Sequence, residues 1–288
     1  MNWFFRNNVI WFLGIVLPWS CTVEPEIDLQ LPDALIVVDG SIEQGEQARV
    51  FLTTNTPYFT TIDSASLRDL VLSRALVTLD DGENSEVLIL RKDSRYFPPY
   101  YYAGNSIYGD TGKVYTLSAS YGGKSIIAQT TVPGIVELDN CSFELAEESD
   151  SLGSLILEFT DPRAEKNFYR IFTKRLGEDE KFIPSLIIAI NDQYFNGDKV
   201  TLKLYRAPDS FLSTEGSEYY SFDDTIVVKL CTMDEQTFDF WNTYQEEAIN
   251  ATNPFASSMI NLESNIEGDG LGVWGGYGVS YDTVFGGR

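Results

Sequence analysis

The chain has 288 residues, of which 43 are acidic and 20 basic, and its formal charge is −23. That balance repels phosphate backbones and offers no polybasic footprint to an anionic bilayer, so nucleic-acid binding is disfavoured. Histidine is absent, which excludes Ser-His-Asp and Cys-His catalysis together with every histidine-ligated zinc or haem site.

Residues 1–20, MNWFFRNNVIWFLGIVLPWS, place Arg6 before an apolar core from Val9 to Trp19, and no acid precedes Glu24. An apolar run of this length falls short of the ~20 residues that span a bilayer core, and its charge order is that of an export signal. Small Ser20 before Cys21 resembles a lipobox, although Pro18 and bulky Trp19 stand where smaller or leucine-like residues are usual. The expected organisation is a signal peptide over 1–20, lipidation at Cys21, and an acidic, proline-marked tether over 21–33. A plain secretory signal, or a buried strand with a free cysteine, is the alternative. The acids directly after Cys21 resemble the surface-export signals of Bacteroidota lipoproteins, with periplasmic retention left open.

Strand signals follow. ALIVVDGSIEQGEQARVFLTT reads as two strands around the Gln44-Gly45 turn. ALVTLDDGENSEVLIL reads as a hairpin with Asp81-Gly82 in its turn and Val87 to Leu90 returning. KVYTLSASYGGKSIIAQTTVP repeats the device around Gly122-Gly123. SASLRDLV is short enough for a turn or a brief helix in a connection. These units predict an immunoglobulin-like β-sandwich over 34–134. Between them, RYFPPYYYAGNSIYG crowds Tyr96, Phe97, Tyr100, Tyr101, Tyr102 and Tyr108 around Pro98-Pro99. A strand buries only alternate residues, so some of these tyrosines are expected to face a glycan, a peptide or a protein partner; packing at a sandwich edge explains them equally well.

Pro133 closes that unit, and 135–288 is expected to be a second, β-rich domain. SLILEFTDP, NFYRIFTK, SLIIAINDQYFNGDKVTLKLY and TIVVKLCTM read as strands, with Asn196-Gly197 in a hairpin turn. One helix is predicted near 233–250: Thr232 caps it, Glu235 completes a capping box, and Phe238, Trp241, Tyr244 or Gln245, and Ala248 form an apolar stripe that reads as packing. Asn253-Pro254 ends it. Cys141 and Cys231 either pair in an oxidising compartment or remain two buried thiols.

Acids in turn-like settings (Asp80-Asp81, Asp161, Asp192, Asp198, Asp223-Asp224 and Asp269) are candidates for a glycosidase pair, which needs two carboxyl groups roughly 5–10 Å apart. Asp192, Asn196 and Asp198 would also suit calcium, but an Asn-Gly turn accounts for them more simply. Gly270-Leu271-Gly272-Val273-Trp274-Gly275 matches a dinucleotide-loop spacing, yet turn and strand flank it rather than strand and helix. Its glycines are expected to let a last strand sit tight against neighbouring backbone. No cofactor and no metal is expected.

The segments LIVVDGSI (35–42), VFLTTNTPYF (50–59), ALVTLDDG (75–82), GKVYTLSASYGGK (112–124), TTVP (130–133) and NPFASSMINLESNIEGDGLGVWGGYG (253–278) are similar to those of an exported Bacteroidota lipoprotein family, the domain of unknown function 4249. The departures are Glu267 between Ile266 and Gly268, and Trp274 where phenylalanine is common. The resemblance implies an outer-membrane lipoprotein beside a TonB-dependent transporter, and it carries over no catalytic or binding residue. The resulting expectation is a noncatalytic, lipid-anchored binding or accessory protein. A surface hydrolase acting on glycans through paired carboxylates is the alternative.

Overall fold

The computed structural model describes residues 34–55, 70–147, 149–186, 189–207, 218–250 and 262–286. The signal segment, Cys21, the tether, most of SASLRDLV and the Asn253-Pro254 helix stop lie outside them. Within them the chain is mostly β with one helix, and no helix is long and apolar enough to cross a membrane.

The first half contains β1 (Ile36–Glu43), β2 (Gln47–Thr54), β3 (Leu76–Asp80) and β4 (Ser85–Val87). It continues with β5 (Ile89–Lys92), β6 (Tyr100–Tyr108), β7 (Val114–Tyr121) and β8 (Lys124–Thr131). The second half opens with β9 (Leu138–Leu145), β10 (Leu152–Thr160), β11 (Phe168–Arg175), β12 (Ile183–Pro184) and β13 (Ile190–Asn191). Then come β14 (Lys199–Leu204), β15 (Tyr220–Ser221), β16 (Thr225–Met233), α1 (Glu235–Asn250), β17 (Ile266–Gly268) and β18 (Gly270–Phe285).

A nine-stranded sheet runs β12-β11-β16-β18-β1-β2-β6-β5, with β13 also beside β11. Its centre joins the two ends of the described chain: β18 pairs with β1 in parallel and with β16 antiparallel. Opposed residues share a sheet face, so the registers fix which side chains look the same way. Ile36, Val38 and Ile42 of β1, Trp274 and Val284 of β18, and Ile226, Val228 and Leu230 of β16 all point to one face.

Two smaller sheets cover that face. The five-stranded sheet β17-β8-β7-β3-β4 supplies Val77, Leu79, Tyr115, Leu117 and Ala128 to a first core. The sheet β14-β10-β15, with β9 beside β10, supplies Leu155, Leu157, Phe159, Val200 and Tyr220 to a second. The cores follow the two expected halves, except that Ile266 and Trp274 from the end of the chain fill the first. The large sheet continues through both, and Asp33–Arg288 clusters as one compact unit.

Three local expectations change. The segment after Asp81-Gly82 does not return as one strand. Leu88 is buried and donates its N–H to Val77 O at 2.9 Å, so β4 stays with β3 while β5 crosses to β6 in the large sheet. The Asn196-Gly197 turn does not make a hairpin, because β14 pairs with β10; of the strand expected across 185–195 only the two-residue β13 forms in the described part.

The helix cap also moves. Thr232 belongs to β16, opposite Tyr169 and Gly278, and donates its hydroxyl to Gly134 O at 2.7 Å. Asp234 is the N-cap: one carboxylate oxygen accepts the Thr237 N–H at 2.9 Å, and the other accepts the Thr131 N–H and the Thr130 hydroxyl, each at 2.8 Å. It therefore ties α1 to the first core's sheet. Asp234→Ala is expected to cost about 2–4 kcal/mol, because a cap (~1) and two hydrogen bonds to a charged acceptor are lost together. Urea denaturation of the two proteins side by side measures it.

Candidate functional site

On the opposite face of the large sheet, α1 covers one end through Phe168, Cys231, Met233, Phe238 and Tyr277. Phe168 and Phe238 stack there at 4.7 Å. The rest of the face is a cleft of about 690 Å³, floored by β1, β2, β11, β16 and β18 and rimmed by residues 95–98 and 180–186. Period-two alternation builds it. Buried Ile36, Val38 and Ile42 turn Val37, Asp39, Ser41 and Glu43 toward the cleft, and buried Tyr169 and Ile171 turn Arg170 and Phe172 the same way.

The floor carries an ordered set of charges. Lys229 is buried and donates to Glu43 Oε1 at 2.8 Å, with Phe172 and Phe182 within 5.0 Å of its ammonium. Arg170 is 8 % exposed, and its guanidinium lies 3.4 Å from the Trp241 ring centre and 4.8 Å from that of Phe172. Its Nε has no hydrogen-bond partner. Trp241 is held by its indole N–H, donated to the Tyr277 hydroxyl at 3.0 Å.

Asp39 stands among these cations on β1. Its carboxylate is open to the cleft, yet protein encloses it, and the lost bulk water pushes its pKa up against the opposing pull of Arg170, Arg49 and Lys181. A raised carboxylate pKa means that folding favours the neutral form. The stability cost is absent below the usual carboxylate range and grows as pH rises through the folded pKa. Asp39→Asn is therefore expected to raise the melting temperature at neutral pH, with the gain vanishing in acid. Thermal melts of both proteins across pH check it.

The tyrosine cluster divides. Tyr96 and Tyr101 pack with Phe51, ring centres 5.4–5.7 Å apart, and Arg49 lies over both; Tyr96 lines the cleft. Tyr100 lies under Lys92. Tyr108 is exposed and its hydroxyl accepts from Gln47. Tyr102 is not a contact residue: it is 3 % exposed, donates to Leu72 O at 2.7 Å and accepts the Ala75 N–H at 2.9 Å, because its position opposite Val50 points it into the core.

Cys141 and Cys231 are both free thiols and do not pair. Cys141 faces the second core from β9, whereas Cys231 is on the cleft side of β16. Burial pushes each thiol up to about 12, so Cys231 is protonated at physiological pH and a poor nucleophile.

Most of the turn acids accept hydrogen bonds from nearby donors, although none among the described residues reaches the Asp198 or Asp223 carboxylate. Asp81 accepts Glu83 and Asn84, Asp224 accepts Ser221, and Asp269 accepts Ser125. Asp161 takes the Tyr169 hydroxyl and Gly197 N–H, and Asp192 takes Asn167 N–H and the Asn196 amide. None of these acids lines the cleft. No group of three or more acidic or cysteine side chains is arranged for a metal among the described residues. Close backbone approach accounts for the Gly270–Gly275 spacing: this part of β18 pairs in parallel with β1, and a Cβ on Gly270 or Gly272 would meet the β1 carbonyl of Ile36 or Val38.

Arg49, Arg170, Lys181 and Asp39 escaped sequence reading because they come from separate segments with no shared spacing. Trp241 was visible as part of the helical stripe, but its role beneath a cation was not. A search of curated proteins finds no match. The sequence model of the domain of unknown function DUF4249 matches residues 22–283, and the chain belongs to that family.

Proposed function

We propose that this protein is a noncatalytic binding protein, anchored by lipid at Cys21 in the outer membrane and working as an accessory to a TonB-dependent transporter. The cleft beside α1 on one face of the large sheet is its ligand site. One observation carries the binding reading: on that face alternating strand residues converge on a hollow of about 690 Å³ that combines aromatic walls with charged groups, within the size range of ligand sites. The protonated Cys231 thiol and the occupation of most of the turn acids by nearby donors, with none of them in the cleft, favour binding over bond cleavage.

The anchor reading is supported by the short apolar run ending at Ser20-Cys21 and by the acidic segment that follows; two or more acyl chains hold a protein firmly on a bilayer. The transporter reading is supported by the family resemblance. Mild detergent extraction of native membranes, capture on a C-terminal tag and mass spectrometry test both. The wild type is expected in the membrane fraction with a large β-barrel, and Cys21→Ser in the soluble fraction. Wild type recovered alone, under conditions that preserve known transporter complexes, defeats the partner claim. Cys21→Ser remaining membrane-bound defeats the anchor claim.

A further inference from the structure

Arg49, Arg170 and Lys181 line the cleft with no ion-pair partner among the described residues. In a protein with 43 acids for 20 bases, carboxylates are plentiful enough to pair every base. The side chains of Arg49, Arg170 and Lys181 nevertheless make no hydrogen bond or ion pair among the described residues. Each lies against a ring instead: Arg49 is 5.1 Å from the Tyr96 centre, Lys181 is 5.7 Å from the same ring, and Arg170 is 3.4 Å from Trp241. A ring offsets only part of the cost of burying a cation. Arg170 is the sharpest case, because it is 8 % exposed and its Nε is unsatisfied.

All three cations act on one carboxylate, Asp39. Around Asp39 three cations face one carboxylate. Lys174 and the exposed rim acids Glu46 and Glu180 also line the cleft, and with Arg95 paired to Asp93 the balance of the unpaired lining groups stays positive, in a hollow where field lines are focused by low-dielectric walls. The neighbouring Lys229–Glu43 pair is already neutral. At physiological salt the charge of the rest of the chain is screened beyond ~8 Å, so the net acidity of the protein does not cancel this local excess.

We propose that the cleft binds a compact organic acid bearing two or more carboxylates, one of them taken by the Arg170 guanidinium, with the flat or apolar body of the ligand against Tyr96 and Trp241. Guanidinium and carboxylate match in a two-pronged geometry that a neutral amide or hydroxyl does not reproduce. Short acidic peptides and short acidic sugars present this chemistry equally. The proposal rests on the cleft being the binding site and names the ligand class that the site selects.

Isothermal calorimetry of the full-length protein in detergent tests it with four probes: Glu-Glu and Gln-Gln dipeptides, and digalacturonate with its neutral counterpart galactobiose. One acidic probe is expected to bind at least about tenfold more tightly than its neutral partner, and more weakly as salt rises. Which acidic probe it is separates a peptide source from a sugar source. Arg170→Gln is expected to lose that preference by about tenfold or more, with folding checked by circular dichroism. Arg49→Gln, at the more open rim, serves the same purpose if Arg170→Gln fails to fold. Equal binding of acidic and neutral probes overturns the ligand class while leaving a binding cleft in place. Absence of heat from all four at about 10 mM, far above a useful affinity, or an unchanged preference in the folded variants, also overturns it.

Discussion

Gly272→Ala is expected to cost about 4 kcal/mol or more, at the extreme end of single substitutions. Gly272 lies in β18 with φ of +121°, a conformation that residues with a β-carbon rarely adopt. An added Cβ would stand 1.9 Å from Val38 O and 2.9 Å from Val38 N. Those atoms are backbone of β1, which cannot retreat because β2 holds its other side. The Ser264 hydroxyl clamps the same residue, accepting its N–H at 3.0 Å and donating to its carbonyl at 2.7 Å. Urea denaturation reads the effect as a fall in midpoint. An unchanged midpoint would mean that β1 and β18 do not meet in this register.

Trp274→Ala is expected to cost about 3–5 kcal/mol, the usual loss for a large aromatic removed from a close-packed core. Trp274 is fully buried, its indole N–H donates to Tyr115 O at 3.0 Å, and its ring lies against Gly40, where an added Cβ would come within 2.8 Å. The residue comes from the last strand but fills the core of the first half. Both halves should therefore lose stability together, as a single calorimetric transition at lower temperature. A second transition that keeps its wild-type midpoint would instead show that residues of the second half fold without this contact.

Local chemistry explains which parts of the fold were legible. Gln44-Gly45, Asp81-Gly82 and Gly122-Gly123 are turns set by adjacent residues, and each glycine in them has positive φ, so these hairpins could be read directly. The Asp234 cap could not be separated from Thr232, because Thr232-to-Glu235 and Asp234-to-Thr237 both have capping spacing. Pairing of β16 with β11 decides between them by drawing Thr232 into the sheet. The parallel pairing of β1 with β18 has no local signature, since it joins the two ends of the described chain.

The same division holds at the site. Tyr96 was visible because it sits in a dense aromatic stretch. Asp39 was hidden inside what reads as an apolar strand, and its importance appears only when β11 and the segment before β12 bring Arg170 and Lys181 toward it. Three residues that together define a charge excess are unremarkable one at a time.

The central claim is that the cleft on the large sheet holds a small molecule. Native mass spectrometry of the full-length protein, extracted in mild detergent from the cells that make it, tests this most directly. The comparison is with Ser41→Trp, which puts a bulky ring on the cleft floor between Asp39 and Glu43. The wild type is predicted to carry an additional small mass that is released on denaturation, and the folded Ser41→Trp protein to lack it. Wild type without any retained mass, or Ser41→Trp retaining the same one, would contradict the account.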